Sequence, residues 1–147
     1  MNKLINILPF LLLILLTGCN STSNSSSSGV DETEVMEDPN NFLDFYQKFH
    51  TDSAFQMEHI VFPLEGVPSV TDPVYDGKSK YYWQKEDWLL HRPIDTGTGE
   101  FRREFDIGDI LITERILNSQ NFMLVRRFYF NGTAWNLIYY ADLNPIQ

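Results

Sequence analysis

The fold of this chain is decided by the stretch from Asp109 to Leu143, which reads DILITERILNSQNFMLVRRFYFNGTAWNLIYYADL. It contains three runs rich in β-branched and aromatic residues, a composition typical of strands. The runs are Asp109–Leu117, Phe122–Phe130 and Thr133–Leu143. Ser119-Gln120-Asn121 separates the first two, and Asn131-Gly132, a preferred two-residue hairpin turn, separates the last two. This pattern predicts a three-stranded antiparallel meander, which Phe101 to Asp106 can extend.

The predicted register brings one opposite-charge pair into the middle of an apolar face. A three-residue loop after the first run places Glu114 opposite Arg126. A two-residue turn between the other runs gives the pairs Phe130–Thr133, Phe128–Trp135, Arg126–Leu137 and Leu124–Tyr139. The candidate ligand-binding residues on this inner face are therefore Glu114, Arg126, Tyr139 and Trp135.

Two interpretations of the Glu114–Arg126 pair stay open. It can form the polar floor of a ligand pocket, where the guanidinium offers paired donors to a carboxylate or a similar group. It can equally be a structural ion pair, because a buried guanidinium costs several kcal/mol unless it is paired. The other strand arginines, Arg102, Arg103 and Arg127, are expected to be solvated.

The part of the chain before the meander predicts helices first. Residues 39–41 can supply an N-cap, and an apolar stripe with three- and four-residue spacing follows at Phe42, Phe45, Tyr46 and Phe49. Asp52 or Ser53 can cap a second short helical turn. Beyond it we expect a strand from Met57 to Phe62, ending at Pro63 and Gly66, and a short helix from Trp83 to Trp88. The fold class predicted is α+β, with N-terminal helices packed on a curved antiparallel sheet.

The start of the chain has the order of a secretory signal. Lys3 supplies positive charge, an apolar stretch runs from Leu4 to Leu16, and small residues close it. The stretch is too short and too interrupted for a membrane-spanning helix. Leu16-Thr17-Gly18-Cys19 resembles the lipobox of bacterial lipoproteins, in which the signal, here residues 1–18, is removed and the cysteine is lipidated. Because Cys19 is the sole cysteine, no intramolecular disulfide is possible.

Residues 19–40 are predicted to be a flexible tether behind the lipidated cysteine. They are rich in Ser, Thr and Asn and then acidic, so they cannot bury enough apolar surface to become ordered. The chain has a net charge of -9, and five of its acidic residues lie in this tether. No positive footprint for nucleic acid is present. Residues 41–147 are predicted to form a single domain.

Three features together resemble one group of Bacteroidetes lipoproteins, the family called domain of unknown function 4348. They are the lipobox, the run His59–Gly66, and the pair Trp83 and Trp88 around Lys85-Glu86-Asp87. The resemblance implies a nuclear transport factor 2-like, cystatin-like cone for residues 41–147, with a cavity on one face of the sheet. It also implies a lipid-anchored protein of the cell envelope, and Asn20 after the cysteine favours the outer membrane, facing the periplasm.

Two functions stand as hypotheses. The first is binding of a small molecule or peptide in the cavity at Glu114 and Arg126. The second is a dimerisation or protein–protein interaction module of the envelope, which uses an outer face of Met123, Val125, Tyr129, Ile138 and Tyr140.

Catalysis is less favoured by the sequence. An enzyme like ketosteroid isomerase would need an aspartate in the cavity. The predicted register puts Asp142 on the other face of the sheet, and no catalytic residue is assigned. His50, His59 and His91 lack the spacing of a zinc site, so neither a metal nor a cofactor is predicted.

Overall fold

The computed structural model describes residues 38–73 and 75–146. The predicted signal, Cys19 and the tether up to residue 37 lie outside these residues. A 3-10 turn at Pro39–Asn41 precedes the helices α1 Phe42–Thr51 and α2 Ser53–Glu58. The strands are β1 Ile60–Val67, β2 Tyr81–Trp83, β3 Phe101–Ile107, β4 Leu111–Asn118, β5 Phe122–Phe130 and β6 Trp135–Pro145. No helix in this part of the chain is long and apolar enough to cross a membrane.

The strands of the described residues form one curved sheet in the order β2-β1-β6-β5-β4-β3. The run from β3 to β6 is an antiparallel meander, as the turn signals predicted. The prediction of a wholly antiparallel sheet is wrong, because β1 lies parallel to β6 while β2 lies antiparallel to β1. A parallel partner must be reached by a long crossover, so no local turn signal could have identified this pairing.

Helix α1 carries the predicted aromatic stripe. Phe42, Phe45 and Phe49 are buried, and they belong to the same core cluster as Phe128 and Trp135 of the sheet. The ring centroid of Phe42 lies 5.4 Å from that of Phe128 and 5.1 Å from that of Trp135, and both contacts are edge-on. Such edge-to-face aromatic contacts add to the free energy gained from burial alone. Tertiary contact with the meander therefore supports this short helix.

The helix N-termini differ in how they are capped. Asn41 occupies the N-cap position of α1 but makes no side-chain cap. Asp38 instead accepts a hydrogen bond of 2.9 Å from the Leu43 amide. In α2, the Asp52 carboxylate accepts from the Phe55 amide at 3.0 Å, so the prediction of Asp52 as a cap is confirmed.

The register between β4 and β5 is as predicted. Glu114 lies opposite Arg126, and Ile112 and Ile116 lie opposite Phe128 and Leu124 on the same face. The connecting loop is held by the Asn118 side chain, whose oxygen accepts from the amides of Gln120 and Phe122. A short loop closed by its own side-chain hydrogen bonds leaves little freedom for a slip in register.

The predicted register between β5 and β6 is wrong. Phe130 pairs with Trp135, so four residues connect the strands, and the Asn131 side chain accepts from the amides of Thr133 and Ala134. This shift of two residues leaves Trp135 on the inner face. The second change is a bulge. Phe128 pairs with Leu137, but Arg127 pairs with Tyr139, which leaves one extra residue on β6.

The bulge reverses the face of the β6 side chains that follow it, up to a second register shift after Ala141. Arg126 lies opposite Tyr140, not opposite Leu137. Tyr140 is buried, whereas Tyr139 lies on the other face, where its ring is 4.5 Å from the Arg127 guanidinium. The prediction that Tyr139 shares the face of Arg126 is therefore wrong, as is the placement of Tyr140 on the outer face.

Two predictions for the middle of the chain are also wrong. Strand β1 starts at Ile60, after α2, and continues past Pro63 and Gly66. A Cβ atom at Gly66 would lie 1.9 Å from the Tyr140 carbonyl oxygen, so this glycine permits close approach of β1 and β6 instead of ending the strand. The segment from Trp83 to Trp88 is not helical, because Trp83 ends β2 and pairs with Leu64. The two indoles meet edge-on at 6.1 Å, and this tertiary contact overrides helix propensity.

Candidate functional site

A buried carboxylate, Glu114, is the centre of a polar cluster under helix α1. Its Oε2 accepts from Nη1 of Arg126 at 2.9 Å, and its Oε1 accepts from Nε of Arg103 at 2.9 Å. The Tyr46 hydroxyl also donates to Oε1. Glu114 is 0% exposed and Arg126 2%, so the pair lies fully inside the protein. The expectation that Arg103 is solvated is wrong, since its guanidinium turns inward to this carboxylate.

Tyr46 and His50 form the upper side of the cluster. Burial, together with the neighbouring Glu114 charge, raises the pKa of the Tyr46 hydroxyl well above its ordinary value. Nδ1 of His50 lies 2.9 Å from the Tyr46 carbonyl oxygen, which can only accept, so Nδ1 carries the proton. Nε2 of His50 is buried and has no hydrogen-bond partner within the described residues. Burial and then the Arg126 charge lower the pKa of His50 to about 4, and this ring is neutral.

His91 connects the cluster to the outside. Nε of Arg126 donates to Nδ1 of His91 at 3.1 Å. An arginine nitrogen can only donate, so Nδ1 is unprotonated and the single proton of a neutral ring sits on Nε2. Burial first, and then the charge of Arg126, lower the pKa of His91 to about 2. His91 is therefore a fixed neutral group, with its tautomer set by an arginine that is itself held by Glu114.

Gln56 of α2 fixes the backbone around His91. Its Nε2 donates to the carbonyl oxygens of Phe49 and His91 at 2.7 and 2.8 Å. Its Oε1 accepts from the His91 amide at 2.7 Å and from the Trp88 indole at 3.4 Å. This fully buried amide thus uses both ends to fasten an irregular segment to the helices.

A cavity of about 300 Å³ lies on the far side of His91. It is bounded by the end of β2, by residues 87–91 and by β6, and it is lined by Trp83, Asp87, Trp88, Leu89, Leu90, His91, Tyr140 and Asp142. The size falls at the lower end of the range found for small-molecule sites, which is about 300–1,000 Å³. Aromatic rings supply much of its wall.

The polar groups of the cavity are held by hydrogen bonds. The Tyr140 hydroxyl donates to Oδ1 of Asp142 at 3.0 Å, and the Leu143 amide donates to the same oxygen at 2.7 Å. Burial, and next the Asp142 charge, raise the pKa of Tyr140 well above its ordinary value. The Trp83 indole nitrogen lies close to Gly66 and donates to the Tyr140 carbonyl at 3.0 Å. Hydrogen bonds thus fix the positions of Trp83, Tyr140 and Asp142.

The structure brings together two of the four predicted ligand-binding residues. Glu114 and Arg126 pair as predicted, but Tyr139 lies on the other face of the sheet. Trp135 is buried against Phe42, and its indole donates to the Asn40 carbonyl at 3.2 Å. The placement of Asp142 on the face away from the cavity is wrong, because the bulge in β6 brings it to the cavity with Tyr140.

Sequence reasoning missed the groups that make the cavity. His91 lies in a segment that has no periodic pattern, and Gln56 binds to that segment. No strand or helix rule could therefore place these two groups. The aromatic doublet Tyr139-Tyr140 was the one useful signal, because only one of two adjacent strand residues can face inward. Choosing between them required the position of the bulge.

No protein-family model matches this chain, and no curated protein matches it. One solved structure to which it is similar is an NTF2-like protein from Bacteroides fragilis NCTC 9343, with a TM-score of 0.53 and 21% sequence identity. The similarity covers 72% of this chain and 48% of the other, so the match spans about half the length of that protein. At this identity the comparison shows the fold alone, and the chain has the nuclear transport factor 2-like fold that its sequence resemblance implied.

Proposed function

We propose that this protein is a lipid-anchored lipoprotein of the cell envelope that binds a small molecule in the cavity beside Tyr140. The observation that carries the proposal is the cavity itself, about 300 Å³ with aromatic walls and a few fixed polar groups. Concave, mostly apolar sites with few convergent polar groups are the usual form of small-molecule sites. Helices packed on the curved sheet would form the cone from which this cavity opens.

The anchor part of the proposal rests on the sequence at Cys19. A signal-like segment leads directly to this single cysteine, and a Ser- and Asn-rich tether follows it. Multiple acyl chains on one residue give stable membrane attachment. We place the protein at the outer membrane on its periplasmic side, and we propose membership of the family called domain of unknown function 4348 on its short motifs.

The Glu114–Arg126 pair is best assigned a supporting role in this proposal. Nη1 of Arg126 is bound to Glu114 and its Nε to His91, and Glu114 accepts from three side chains. Of the two interpretations left open by the sequence, these occupied partners favour the structural ion pair. The pair supports the site by holding His91 neutral and in place at the cavity wall.

Binding without catalysis is favoured by the state of two cavity residues, because neither His91 nor Tyr140 is suited to general acid–base chemistry near neutral pH. A general base near neutral pH needs an accessible lone pair with a pKa close to the working pH. In His91 the Nδ1 lone pair is taken by Arg126, and the low pKa disfavours a second proton. The raised pKa of Tyr140 likewise makes its hydroxyl a weak acid.

Native mass spectrometry of the full chain purified from its own membranes tests the binding proposal. We expect the wild-type protein to retain a small non-lipid mass that Leu90→Trp loses, because the larger side chain fills the cavity. Leu43→Trp on α1 is the matched control, since Leu43 and Leu90 are exposed to the same degree, 42% and 40%. A wild-type protein that carries no ligand, or equal retention in Leu90→Trp, would contradict the proposal.

The interaction module remains a second candidate because of a groove on the opposite face of the sheet. Its cavity volume is about 330 Å³, and the lining residues include Val67, Met123, Val125 and Tyr139. This face carries Tyr139 and not Tyr140, which the sequence analysis had placed there. Its apolar side chains could pack against the same face of a second copy of the chain. Sedimentation of the full chain in detergent decides this point: a dimer that Val125→Glu dissociates supports it, and a monomer contradicts it.

A further inference from the structure

We propose that the cavity beside Tyr140 selects a small organic cation with an alkylated ammonium group. The inference rests on the proposed binding function and names its ligand class. Two carboxylates, Asp87 and Asp142, lie in a wall that is otherwise aromatic and aliphatic. None of the described residues lining the cavity is a lysine or arginine. The charge that this site offers to a ligand is therefore negative.

Three aromatic side chains line the cavity, and they contact one another edge-on or tilted and not as a parallel stack. The rings of Trp83 and Trp88 stand at 87° with centroids 6.1 Å apart, and those of Trp88 and Tyr140 stand at 80° with centroids 5.5 Å apart. The rings of Trp83 and Tyr140 are tilted by 47° with centroids 5.2 Å apart. All three rings line the cavity, so a ligand there meets aromatic surface from three residues. Alkylated ammonium groups bind to such aromatic surfaces through cation–π attraction.

An anionic ligand lacks a partner at this site. Arg126, which contacts His91 from the inner side, is 2% exposed and already bound to Glu114 and His91. His91 is neutral, since its Nδ1 accepts from that arginine. A second anion would therefore face Asp87 and Asp142 with no compensating positive group in the wall.

A neutral apolar ligand is disfavoured for a different reason. It would exclude water from the cavity and leave the carboxylate of Asp142 with its two intramolecular donors, Tyr140 and Leu143, as compensation for its charge. Taking a carboxylate out of water without a counter-charge is costly. An ammonium group removes this cost because it brings the counter-charge with it. Alkyl substituents on the nitrogen would pack on the three rings, which a bare ammonium ion cannot do.

Calorimetric titration of the full chain in a maltoside detergent tests the selection, with choline and its neutral isostere 3,3-dimethylbutan-1-ol as probes. The two probes have the same shape and differ in the charge at the central atom. We expect choline to bind at least tenfold more tightly than the isostere, with an affinity that falls as salt is added. Asp142→Asn and Asp87→Asn should each weaken choline binding severalfold and leave binding of the isostere unchanged.

Asp44→Asn is the control, because Asp44 is an exposed carboxylate on α1 outside the cavity. This variant should bind choline as the wild type does. Equal affinity for the two probes, or choline binding that neither cavity variant weakens, would overturn the inference. If choline does not bind but native membranes yield a bound neutral or anionic molecule, the ligand class is wrong while the binding function stands. If no molecule of any class is retained, the proposed function fails with it.

Discussion

At the scale of single residues, the decisive group is Glu114. A carboxylate that is 0% exposed would be costly in isolation, yet it accepts from Arg103, Arg126 and Tyr46. Glu114 also affects the cavity, because its partner Arg126 fixes the tautomer of His91 in the cavity wall. One charged residue thus links core stability to the geometry of the candidate site.

Replacing Glu114 with glutamine should lower the free energy of unfolding by about 3 kcal/mol, because breaking a buried pair leaves an uncompensated buried charge. Here both Arg126 and Arg103 would lose their counter-charge. Urea denaturation monitored by tryptophan fluorescence measures the change. Glu58→Gln, at an exposed helix position, should be neutral. A loss below about 1 kcal/mol for Glu114→Gln would show that the cluster contributes little.

The buried neutral histidines make stability depend on pH. The pKa of His50 is lowered to about 4 in the folded protein, below its value of about 6.5 in the unfolded chain. Protons therefore favour the unfolded state, and stability is full above pH 6.5 and falls as the pH drops toward 4. We expect a loss of about 1.5 kcal/mol from this residue between pH 6.5 and 5.

Denaturant titrations at pH 7, 6 and 5 on the wild type and on His50→Asn isolate that contribution. Asparagine keeps a donor for the Tyr46 carbonyl but does not titrate. The stability of the wild type should fall more steeply than that of the variant over this range. Parallel curves for the two proteins would contradict a buried neutral His50.

At the scale of secondary structure, strand β6 determines which residues reach the site. Its bulge between the pairs with Phe128 and Arg127 turns Tyr140 and Asp142 inward and Tyr139 outward. The neighbouring strand β1 must come close to this segment, and Gly66 makes that approach possible. Through the same gap the Trp83 indole reaches the Tyr140 carbonyl. Strand pairing and the aromatic wall of the cavity therefore depend on one glycine.

Gly66→Ala should lower the free energy of unfolding by about 3 kcal/mol and disturb the cavity. The added Cβ would lie 1.9 Å from the Tyr140 carbonyl oxygen and 2.6 Å from the Trp83 indole nitrogen, so backbone and ring must both move. Thermal or urea denaturation gives the stability, and the tryptophan emission spectrum reports the indole. Gly97→Ala is the control, since a Cβ there would meet only an exposed side-chain oxygen at 3.2 Å. Equal stability of the two variants would show that β1 and β6 can separate without cost.

At the scale of the whole molecule, one face of the sheet carries the core and the cavity. The core cluster joins the stripe of α1 to the inward side chains of β4, β5 and β6. The irregular segment 84–91 closes the end of this face and is fastened there by Gln56. The similarity to a solved structure shows the NTF2-like fold, whereas the polar groups at the cavity are observed in this chain alone. Function must therefore be argued from the site and not from the fold.

The proposed membrane anchor gives a prediction for the full chain. Cys19→Ser should move the protein from the membrane fraction to the soluble periplasmic fraction, because the thiol that takes the lipid is lost. Fractionation with immunodetection, together with labelling by a radioactive fatty acid, measures both effects. Ser21→Ala, two residues further on, is the matched control and should remain bound and labelled. Unchanged membrane attachment of Cys19→Ser would refute the anchor.

Elements whose signals are local could be predicted from the amino-acid sequence. The spacing of Phe42, Phe45 and Phe49 specified α1, and alternation with short turns specified the meander. The Glu114–Arg126 pair was predictable for the same reason, since a short loop with its own hydrogen bonds sets the register between β4 and β5. In each case the physical cause acts over a few residues.

Long-range contacts set the parallel neighbour of β1, the bulge in β6 and the position of His91, and none of these could be predicted from the sequence. Strands β1 and β6 are separated along the chain by the whole of β2 to β5, so no local rule pairs them. A bulge adds one residue on one strand, which moved Tyr140 to the cavity and Tyr139 away from it. His91 lies in an irregular segment and is held by Gln56 and Arg126, which are 35 residues away on either side. The candidate site is made from these long-range contacts, and packing together with buried hydrogen bonds selects them.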